Sequence, residues 1–284
     1  MPSQREIRRR IGSVGHIKQI TRAMQFVAAY KLRRAQESTL ASRPYSDKLD
    51  EVLADLAAVI DHEAHPLLAE EREGPRLIVL FTSDRGMAGS LNTNTIRYAA
   101  QQISSASEEL QVVTVGRKGT AAMRRAHVPL AASFDGFGDR PAFADILPLA
   151  RLVSDDFLAG TYTKVHLLYP AFVSTLVQRP EMKRLLPVKP NPTAAEGIPG
   201  GQFIFEPGPT KVLEQLMPRY VATRLFQAVL ELTASEQSSR MVAMRNATDN
   251  AQELIDDLTL TYNKVRQSNI TREMIEIATG ASST

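Results

Sequence analysis

The chain has 284 residues, of which 43% are hydrophobic and 23% are charged, the composition of an ordinary folded globular protein. It contains no cysteine, which excludes disulfides and thiolate metal sites. No apolar run reaches the length of about 18 residues that a membrane-spanning helix needs, so any membrane association must be through partners. The first residues lack the apolar core of a secretory signal, and we expect the folded protein to begin at once.

Charge is distributed unevenly along the chain, although the net charge is only +3. Residues 1–34 hold nine Lys or Arg against one acid, whereas residues 35–75 hold ten acids against three basic residues. A basic helix could follow a nucleic-acid backbone. Here the basic residues are interleaved with apolar ones and no aromatic stacking platform accompanies them. We therefore favour contact with an acidic protein surface over nucleic acid.

The N-terminal segment has the pattern of a long amphipathic helix. No proline interrupts Ser3 to Arg43, and apolar side chains recur at steps of three and four residues on one side. Gly12 and Gly15 should weaken this helix by about 1 kcal/mol each relative to alanine, and Pro44 should bend or end it. The apolar positions are Ile7, Ile11, Val14, Ile17, Ile20, Met24, Val27, Ala28, Leu32 and Ala35.

The C-terminal segment predicts a second and longer helix. Arg219 to Thr279 contains neither Gly nor Pro over 61 residues, and fully helical it would reach about 90 Å, too long to be buried in one globule. Two such helices at opposite ends of the chain are most economically paired as an antiparallel coiled coil. The predicted apolar seam of the C-terminal helix is Met244, Ala247, Ala251, Leu254, Leu258, Tyr262 and Val265.

The middle of the chain alternates between strand and helix patterns. Short apolar runs at 77–82, 111–115 and 164–169 are bounded by turn residues and predict strands. The stretches between and after them predict helices, which indicates a parallel sheet with flanking helices. The predicted helices are 91–107, 117–126 and 142–159.

Two further features precede the C-terminal helix. Phe203 to Phe205 predicts one more strand, and 189–201, rich in Pro, Gly and Ala, predicts a surface loop. The predicted fold class is therefore α/β, with a long antiparallel coiled coil of N- and C-terminal helices and a central Rossmann-like α/β domain with a mostly parallel sheet. Its divisions are 1–58 for the N-terminal coiled-coil helix, 75–206 for the α/β domain and 210–279 for the C-terminal coiled-coil helix.

Two glycine-containing turns lie where α/β folds bind phosphate. Asp84 to Asn92 follows a strand and precedes a helix, and Gly116 to Gly119 repeats that arrangement. Neither segment has the Gly-Lys-Ser/Thr ending of a P-loop or the G-x-G-x-x-G pattern. We therefore favour tight structural turns over a nucleotide site.

Catalytic and metal motifs are also weak. His62 and His65 are three residues apart, whereas two histidines on one helix face that bind zinc are four apart. Glu253, Asp256 and Asp257 have the spacing of a solvated helix face, and no serine lies in a nucleophile-elbow sequence. We expect no catalytic residue, no metal and no cofactor.

Segments at both ends and in the middle resemble one family across nearly the whole chain, the gamma subunits of rotary proton-translocating (F-type) ATP synthases. The C-terminal signature is the most specific part of this resemblance. The matching segments are 5–7, 20–24, 27–36, 83–86, 89–92, 205–207, 234–237, 240–251, 262–267 and 270–273.

The resemblance implies a non-catalytic rotor subunit of the central stalk. It would transmit torque between a proton-driven membrane ring of c subunits and a catalytic head of three alpha and three beta subunits, and it would also contact the epsilon subunit. It implies a peripheral location at the cytoplasmic side of a bacterial cell membrane, without direct membrane insertion. The absence of a transit-type stretch favours a bacterial member, and the cysteine-bearing regulatory insertion of chloroplast relatives is absent.

The resemblance also implies contact residues. The C-terminal tip, with Met274, Ile275 and Ile277, would be an apolar bearing, and Arg266, Gln267 and Thr271 would form polar contacts to beta. The remaining implied contacts are Met24, Arg33 and Arg34 with the moving lever of beta, and Phe203, Phe205 and Glu206 near the ring.

Two other function classes remain open from the residues alone. A nucleotide-using α/β enzyme with helical arms would bind ATP as an isolated chain. A coiled-coil scaffold or nucleic-acid binder would keep its partners in the absence of any ATPase assembly.

Overall fold

A computed structural model of the protein describes residues 3–59, 67–68, 74–188 and 205–282. Contacts between residues divide the chain into two compact units, a first unit of Met1–Ala29 with Arg240–Thr284 and a second unit of Tyr30–Ser239. The elements in chain order are α1 (Gln4–Val59), β1 (Arg76–Phe81), α2 (Leu91–Ser104), β2 (Leu110–Val115), α3 (Arg117–Arg125), β3 (Leu130–Phe134), α4 (Phe143–Leu158), β4 (Lys164–Phe172), β5 (Gln178–Leu186) and α5 (Pro209–Ser282).

The second unit contains a five-stranded sheet with the strand order β3-β2-β1-β4-β5. β1 lies parallel to both β2 and β4, and β2 lies parallel to β3. Only the pairing of β5 with β4 is antiparallel. Because parallel strands require crossover connections, α2, α3 and α4 link them, and the loops that follow the four parallel strands lie at one edge of the sheet.

The core of the second unit lies on both faces of the sheet. Leu77, Val79 and Phe81 pack in a cluster that includes residues of α4, α5 and the end of α1. Ile78 and Leu80, which point to the other face, pack with residues of α2 and α3. All five side chains are fully buried, and each such burial stabilises the fold by about 1.5–3 kcal/mol. A strand buried on both faces explains the uninterrupted apolar run in its sequence.

The structure confirms the predicted mostly parallel α/β sheet. Three of the four predicted strands correspond to β1, β2 and β4, and the three predicted helices correspond to α2, α3 and α4. The sequence analysis missed β3 and β5, whose sequences are LAASF and QRPEMKRLL. Both are edge strands of the sheet. An edge strand can carry charges or proline because one of its hydrogen-bonding rows faces outward, so its sequence lacks the apolar run of a central strand.

The strand that the sequence predicted at 203–205 is not present at Phe205, which lies outside any regular element. Phe203 and Ile204 lie outside the described residues, as does the predicted loop at 189–201.

Both terminal segments are long helices, as predicted, and α1 contains 56 residues and α5 contains 74. The prediction that Pro44 could end the first helix is wrong, because α1 continues to Val59. Ser46, Leu49 and Leu53, one to three turns after the proline, are buried. Their packing compensates for the hydrogen bond that a proline removes from a helix interior.

The first unit is an antiparallel helix pair. Side-chain hydrogen bonds of this unit join α1 to α5, and the residue number on α5 falls as the number on α1 rises. Gln4 Nε2 donates to Tyr262 Oη, Lys18 Nζ donates to Gln252 Oε1, and the Thr21 and Thr248 hydroxyls bond to each other. This confirms the predicted antiparallel pairing of the terminal helices.

The seam between these helices contains more polar residues than the sequence analysis assumed. Buried and half-buried side chains follow a strict alternation of three- and four-residue steps on each helix, as in a coiled coil. On α1 of this unit they are Gln4, Ile7, Ile11, Val14, Lys18, Thr21, Gln25 and Ala28. On α5 they are Met241, Met244, Thr248, Ala251, Ile255, Leu258, Tyr262, Val265 and Asn269.

Six predicted seam positions are therefore wrong or peripheral. Ile17, Ile20 and Val27 are each more than half exposed, and Leu254 is 47% exposed. Met24 and Ala247 are half-buried beside the row instead of within it. Two adjacent apolar rows run along α1, and periodicity alone does not say which row faces the partner helix.

We predict that the buried Thr21 and Thr248 pair couples the two helices energetically. Their hydroxyl oxygens are 2.8 Å apart, and each also lies within hydrogen-bond distance of a backbone carbonyl of its own helix. With one proton on each hydroxyl, one threonine donates to the other, and the threonine that accepts can donate to its own helix. Thr21→Val and Thr248→Val should each lower the free energy of unfolding by about 1 kcal/mol. In the double variant the free energy of unfolding should fall by less than the sum of the two single effects, because no buried hydroxyl is left without its partner.

Chemical denaturation of the full chain measures these free energies. Thr261→Val is the matched control, since the Thr261 hydroxyl also bonds to its own helix but is exposed, and its effect should be within about 0.5 kcal/mol. Strictly additive losses would show that the pair contributes no coupling.

Candidate partner-contact surfaces

The loop after β1 is held by its own side chains. The Asp84 carboxylate accepts a hydrogen bond from the backbone N–H of Arg117 at 3.0 Å and another from Gly136 at 3.1 Å. It therefore joins the loops that follow β1, β2 and β3 at the edge of the sheet where α/β folds bind phosphate.

The amino terminus of α3 has its backbone donors satisfied internally. The first four N–H groups of a helix have no partner within the helix and commonly bind anions. Here Arg117 N–H donates to Asp84, Lys118 N–H donates to the Ser83 carbonyl at 3.2 Å, and Gly119 N–H donates to Thr82 Oγ1 at 2.8 Å. The positions that a phosphate would occupy are taken by the chain itself, with a carboxylate among them.

The glycines of this turn are required by close packing. Gly116 has φ +96°, and a Cβ at this residue would lie 1.9 Å from the Thr82 carbonyl oxygen. A Cβ at Gly119 would lie 2.7 Å from Thr82 Oγ1. Gly116 to Gly119 is thus a structural turn, in agreement with the interpretation favoured from the sequence.

The segment from Ser83 to Asn92 is braced in the same way. Ser83 N–H donates to Asn92 Oδ1, Asn92 Nδ2 donates to Ser83 Oγ, and Ser83 Oγ donates to the Arg85 carbonyl. Ser239 Oγ of α5 donates to the Ala88 carbonyl at 2.7 Å. These bonds hold the loop between β1 and α2 in place against α5, and they account for the polar side chains of Ser83 and Asn92.

The structure gives no support to the metal and acid/base motifs considered from the sequence. His62 and His65 lie outside the described residues. Within the described part of the chain, no group of three or more His, Cys, Asp or Glu side chains is placed to hold a metal ion. Glu253, Asp256 and Asp257 are exposed on α5, and Asp256 accepts a hydrogen bond from Gln252 of the same helix.

A polar cavity of about 390 Å³ in the second unit is lined by α1, β4, β5 and α5. Lys183 lies 5.6 Å from the centre of the Tyr169 ring and forms an ion pair with Glu181. Burial acts to lower the pKa of Lys183, but the Tyr169 hydroxyl and the Glu181 carboxylate outweigh burial and raise it. Lys183 therefore stays charged at neutral pH.

Arg224 lines the same cavity and forms a second set of ionic contacts. It pairs with Asp50 and donates to Ser46 Oγ and Gln227 Oε1. Its guanidinium also lies 5.0 Å from the centre of the Tyr220 ring. Because the two main cations of the cavity are paired with groups of the chain, we interpret the cavity as a polar junction between the helices and the sheet.

The contact residues predicted at the C-terminal tip are all exposed on α5 of the first unit. Beyond Asn269 the buried row ends, because α1 begins at Gln4 and pairs with Tyr262. Met274, Ile275 and Ile277 are 65%, 59% and 73% exposed. Arg266, Gln267 and Thr271 are also exposed.

The sequence analysis missed a second exposed apolar surface of the first unit. Met24, which it named, is half-buried. Around it on α1, Ile17, Ile20, Phe26 and Val27 are each at least half exposed. The signal for this surface was an apolar stripe wider than a single seam requires.

The predicted contacts of the second unit lie in two places. Arg33 and Arg34 are exposed on α1, and Arg33 forms an exposed ion pair with Glu37. Phe205 is half-buried against the core, whereas Glu206 is exposed just before α5. Phe203 lies outside the described residues.

The filled turns and the exposed apolar side chains together indicate a class of protein. The turns that could bind phosphate are filled by the chain, and most of the large exposed apolar side chains lie on α1 and α5, where another protein could cover them. This combination is typical of a structural subunit that acts through contacts with partner proteins.

Comparison with known proteins agrees with this class. The ATP synthase family matches residues 3–284. The chain is 50% identical over 287 residues to the ATP synthase gamma chain of Roseiflexus sp. (strain RS-1), covering 99% of this chain and 98% of the relative. It is 46% identical over 286 residues to the ATP synthase gamma chain of Dehalococcoides mccartyi (strain ATCC BAA-2100 / JCM 16839 / KCTC 5957 / BAV1), covering 99% of both.

Solved structures show the same fold. A chain of the Tetrahymena thermophila mitochondrial ATP synthase central stalk and c-ring is similar with a TM-score of 0.62 and 25% identity, covering 80% of this chain and 99% of that chain. A chain of the Euglena gracilis mitochondrial ATP synthase in rotational state 3 is similar with a TM-score of 0.70 and 22% identity, covering 99% of this chain and 94% of that chain.

The chain belongs to the ATP synthase gamma chain family. It is accordingly a non-catalytic stalk subunit of an ATP synthase, a membrane-associated complex. This confirms the predicted family and function. Among the described residues, no helix is both long and apolar enough to span a membrane.

We predict that Asp84 stabilises the turns and does not serve ligand binding. Asp84→Ala removes the acceptor of two backbone N–H groups and should lower the free energy of unfolding by about 1–3 kcal/mol, because those donors lose their partner. Asp135→Ala is the control, since Asp135 is an exposed aspartate whose nearest basic atom is 3.9 Å away.

Calorimetry of the isolated chain with Mg-ATP tests the nucleotide alternative at the same time. Neither the unchanged chain nor the Asp84→Ala variant should release heat of binding. Saturable ATP binding that the Asp84→Ala variant loses would contradict the structural interpretation of this loop.

Proposed function

We propose that this subunit transmits torque in a proton-translocating ATP synthase, between a membrane ring of c subunits and a catalytic head of three alpha and three beta subunits. The observation that carries the proposal is the last part of α5, where the row of partner-covered residues ends at Asn269 and exposed apolar side chains follow. A helix end of this kind needs a protein surface around it, because apolar side chains in water cost free energy.

The composition of this end suits a bearing. Met274, Ile275 and Ile277 offer apolar contact, which has no directional preference, so a helix can turn inside an apolar collar without a strongly favoured angle. Such a surface supports rotation more readily than hydrogen bonds would.

Polar residues just before this end would mark preferred angles. Arg266, Gln267 and Thr271 are exposed, and their donors and acceptors are directional. Hydrogen bonds from these residues to beta would be made at some rotor angles and not at others, so they would shift the population toward resting positions.

The remaining contacts assign surfaces to the other partners. Met24 in the first unit, and Arg33 and Arg34 in the second, would meet the moving lever of beta, for which exposed arginines favour an acidic surface. Phe203, Phe205 and Glu206 would lie near the c-ring, and the epsilon subunit would also bind the stalk.

The division of the chain and its location follow from the same proposal. Segments 1–58 and 210–279 would form the rotating coiled coil, and 75–206 would form the domain that engages the ring and epsilon. The protein would be peripheral on the cytoplasmic side of a bacterial cell membrane.

Removal of residues 268–284 should weaken torque while the remaining helix pair still folds, because the last cross-helix hydrogen bond, from Gln4 to Tyr262, is retained. A second variant with Met274, Ile275 and Ile277 all changed to serine keeps the length and should also lower torque. Single-molecule rotation of the assembled alpha-beta-gamma complex under load measures both.

The matched control changes Glu273 and Glu276 to glutamine, two exposed polar positions on the same helical turns, and should leave torque unchanged. Unchanged torque in both the truncated and the serine variants would refute the bearing assignment.

A further inference from the structure

One carboxylate in the second unit holds both long helices. Asp139 lies in the loop between β3 and α4, at residues 135–142. Its Oδ2 accepts a hydrogen bond and ion pair from Lys31 Nζ of α1 at 2.6 Å, and its Oδ1 accepts a hydrogen bond from Gln237 Nε2 of α5 at 3.0 Å. The two oxygens of one side chain are therefore bonded to both long helices at once.

Gln237 is an unusual residue for its position. It is 1% exposed and continues the heptad row of buried residues Leu230 and Ala234 on α5. Its Oε1 atom is buried without a hydrogen-bond partner among the described residues. A buried polar group with one atom unsatisfied is costly, and in coiled coils such groups are retained where they specify register.

The apolar packing nearby has few large side chains in the seam. Leu32 on α1 and Leu230 on α5 are buried, but Ala35 and Ala234 next to them in the two rows are small and interlock less. A slip of one heptad would move Lys31 by about 10 Å along the axis, beyond the reach of Asp139. A rotation of α1 by one residue would turn Lys31 away by about 100°.

The loop that carries Asp139 is itself anchored. Gly136 and Gly138 adopt φ values of +83° and +66°, which bend the backbone sharply beside Asp139. The Gly136 N–H donates to Asp84, the carboxylate that also caps α3. Asp139 is thus presented from the sheet edge by a braced loop.

We propose that Asp139 is a positioning residue that sets the axial and rotational register of α1 against α5 through Lys31 and Gln237. Held in this way, the two helices resist sliding past each other when torque acts on them. The consequence for torque rests on the proposed rotor function, whereas the register role does not.

Spin-label distances test the register role in the full chain. The protein has no cysteine, so labels can be attached at cysteines introduced at Ser38 of α1 and Gln215 of α5, both exposed positions of the second unit. A single narrow distance is expected without further change. Asp139→Ala and Lys31→Met should each broaden it or add a second distance.

Two further variants separate register from general stability. Asp139→Asn keeps one oxygen that can accept from Lys31, and its new amide can donate to Gln237 Oε1 once the Gln237 amide turns over. It should therefore keep most of the narrow distribution, which a general loss of stability would not predict. Asp135→Asn, in the same loop, should leave the distance unchanged. An unchanged distance in both Asp139→Ala and Lys31→Met would overturn the register assignment.

Stall torque of the assembled complex tests the consequence. Asp139→Ala should lower stall torque while ATP hydrolysis without load stays unchanged, because slip requires force. A broadened distance with unchanged torque would support the register role and count against the torque role. An unchanged distance with lowered torque would contradict the register role and leave the rotor proposal standing.

Discussion

Heptad packing along the two long helices is the constraint on which both units depend. Along α1, every residue of the row from Gln4 to Leu56, at alternating steps of three and four, is buried or half-buried. An ideal α-helix has 3.6 residues per turn, so a row with a strict 3.5 repeat keeps facing a partner only if the helices wind around each other. In the first unit that partner is α5, and in the second unit the row ends in the core shared by α5 and the sheet.

The buried row of α1 is partly polar in the first unit and mostly aliphatic at its end in the second unit. In the first unit it contains Lys18, Thr21 and Gln25, and in the second unit it contains Leu49, Leu53 and Leu56. Polar seam residues lower stability but restrict the register and the partner that a helix accepts. Aliphatic seam residues add burial free energy, which the second unit uses to attach the helices to its sheet.

The sequence predicted the parts of this fold that burial on two faces or long uninterrupted periodicity makes visible. β1, β2 and β4 have apolar runs because each lies inside the sheet, and the absence of Gly and Pro over Arg219 to Thr279 identifies α5. β3 and β5 were not predicted, since an edge strand need not be apolar. Between residues 17 and 27 the seam of α1 was assigned one residue away from its true position, because apolar residues occupy two adjacent rows there and the row with Thr21 is the one that pairs.

In the candidate contact surfaces, the apolar side chains are exposed instead of buried. The polar residues that stand out in the sequence are Ser83, Asp84 and Asn92, but their hydrogen bonds hold turns together. Apolar side chains are expected to be buried, but those of Ile17, Ile20 and Ile277 are exposed. For a subunit that turns inside its partners, we propose that these exposed apolar residues are the functional contacts. A partner that covers them would gain burial free energy at every angle, and only the few polar contacts beside them would distinguish one angle from another.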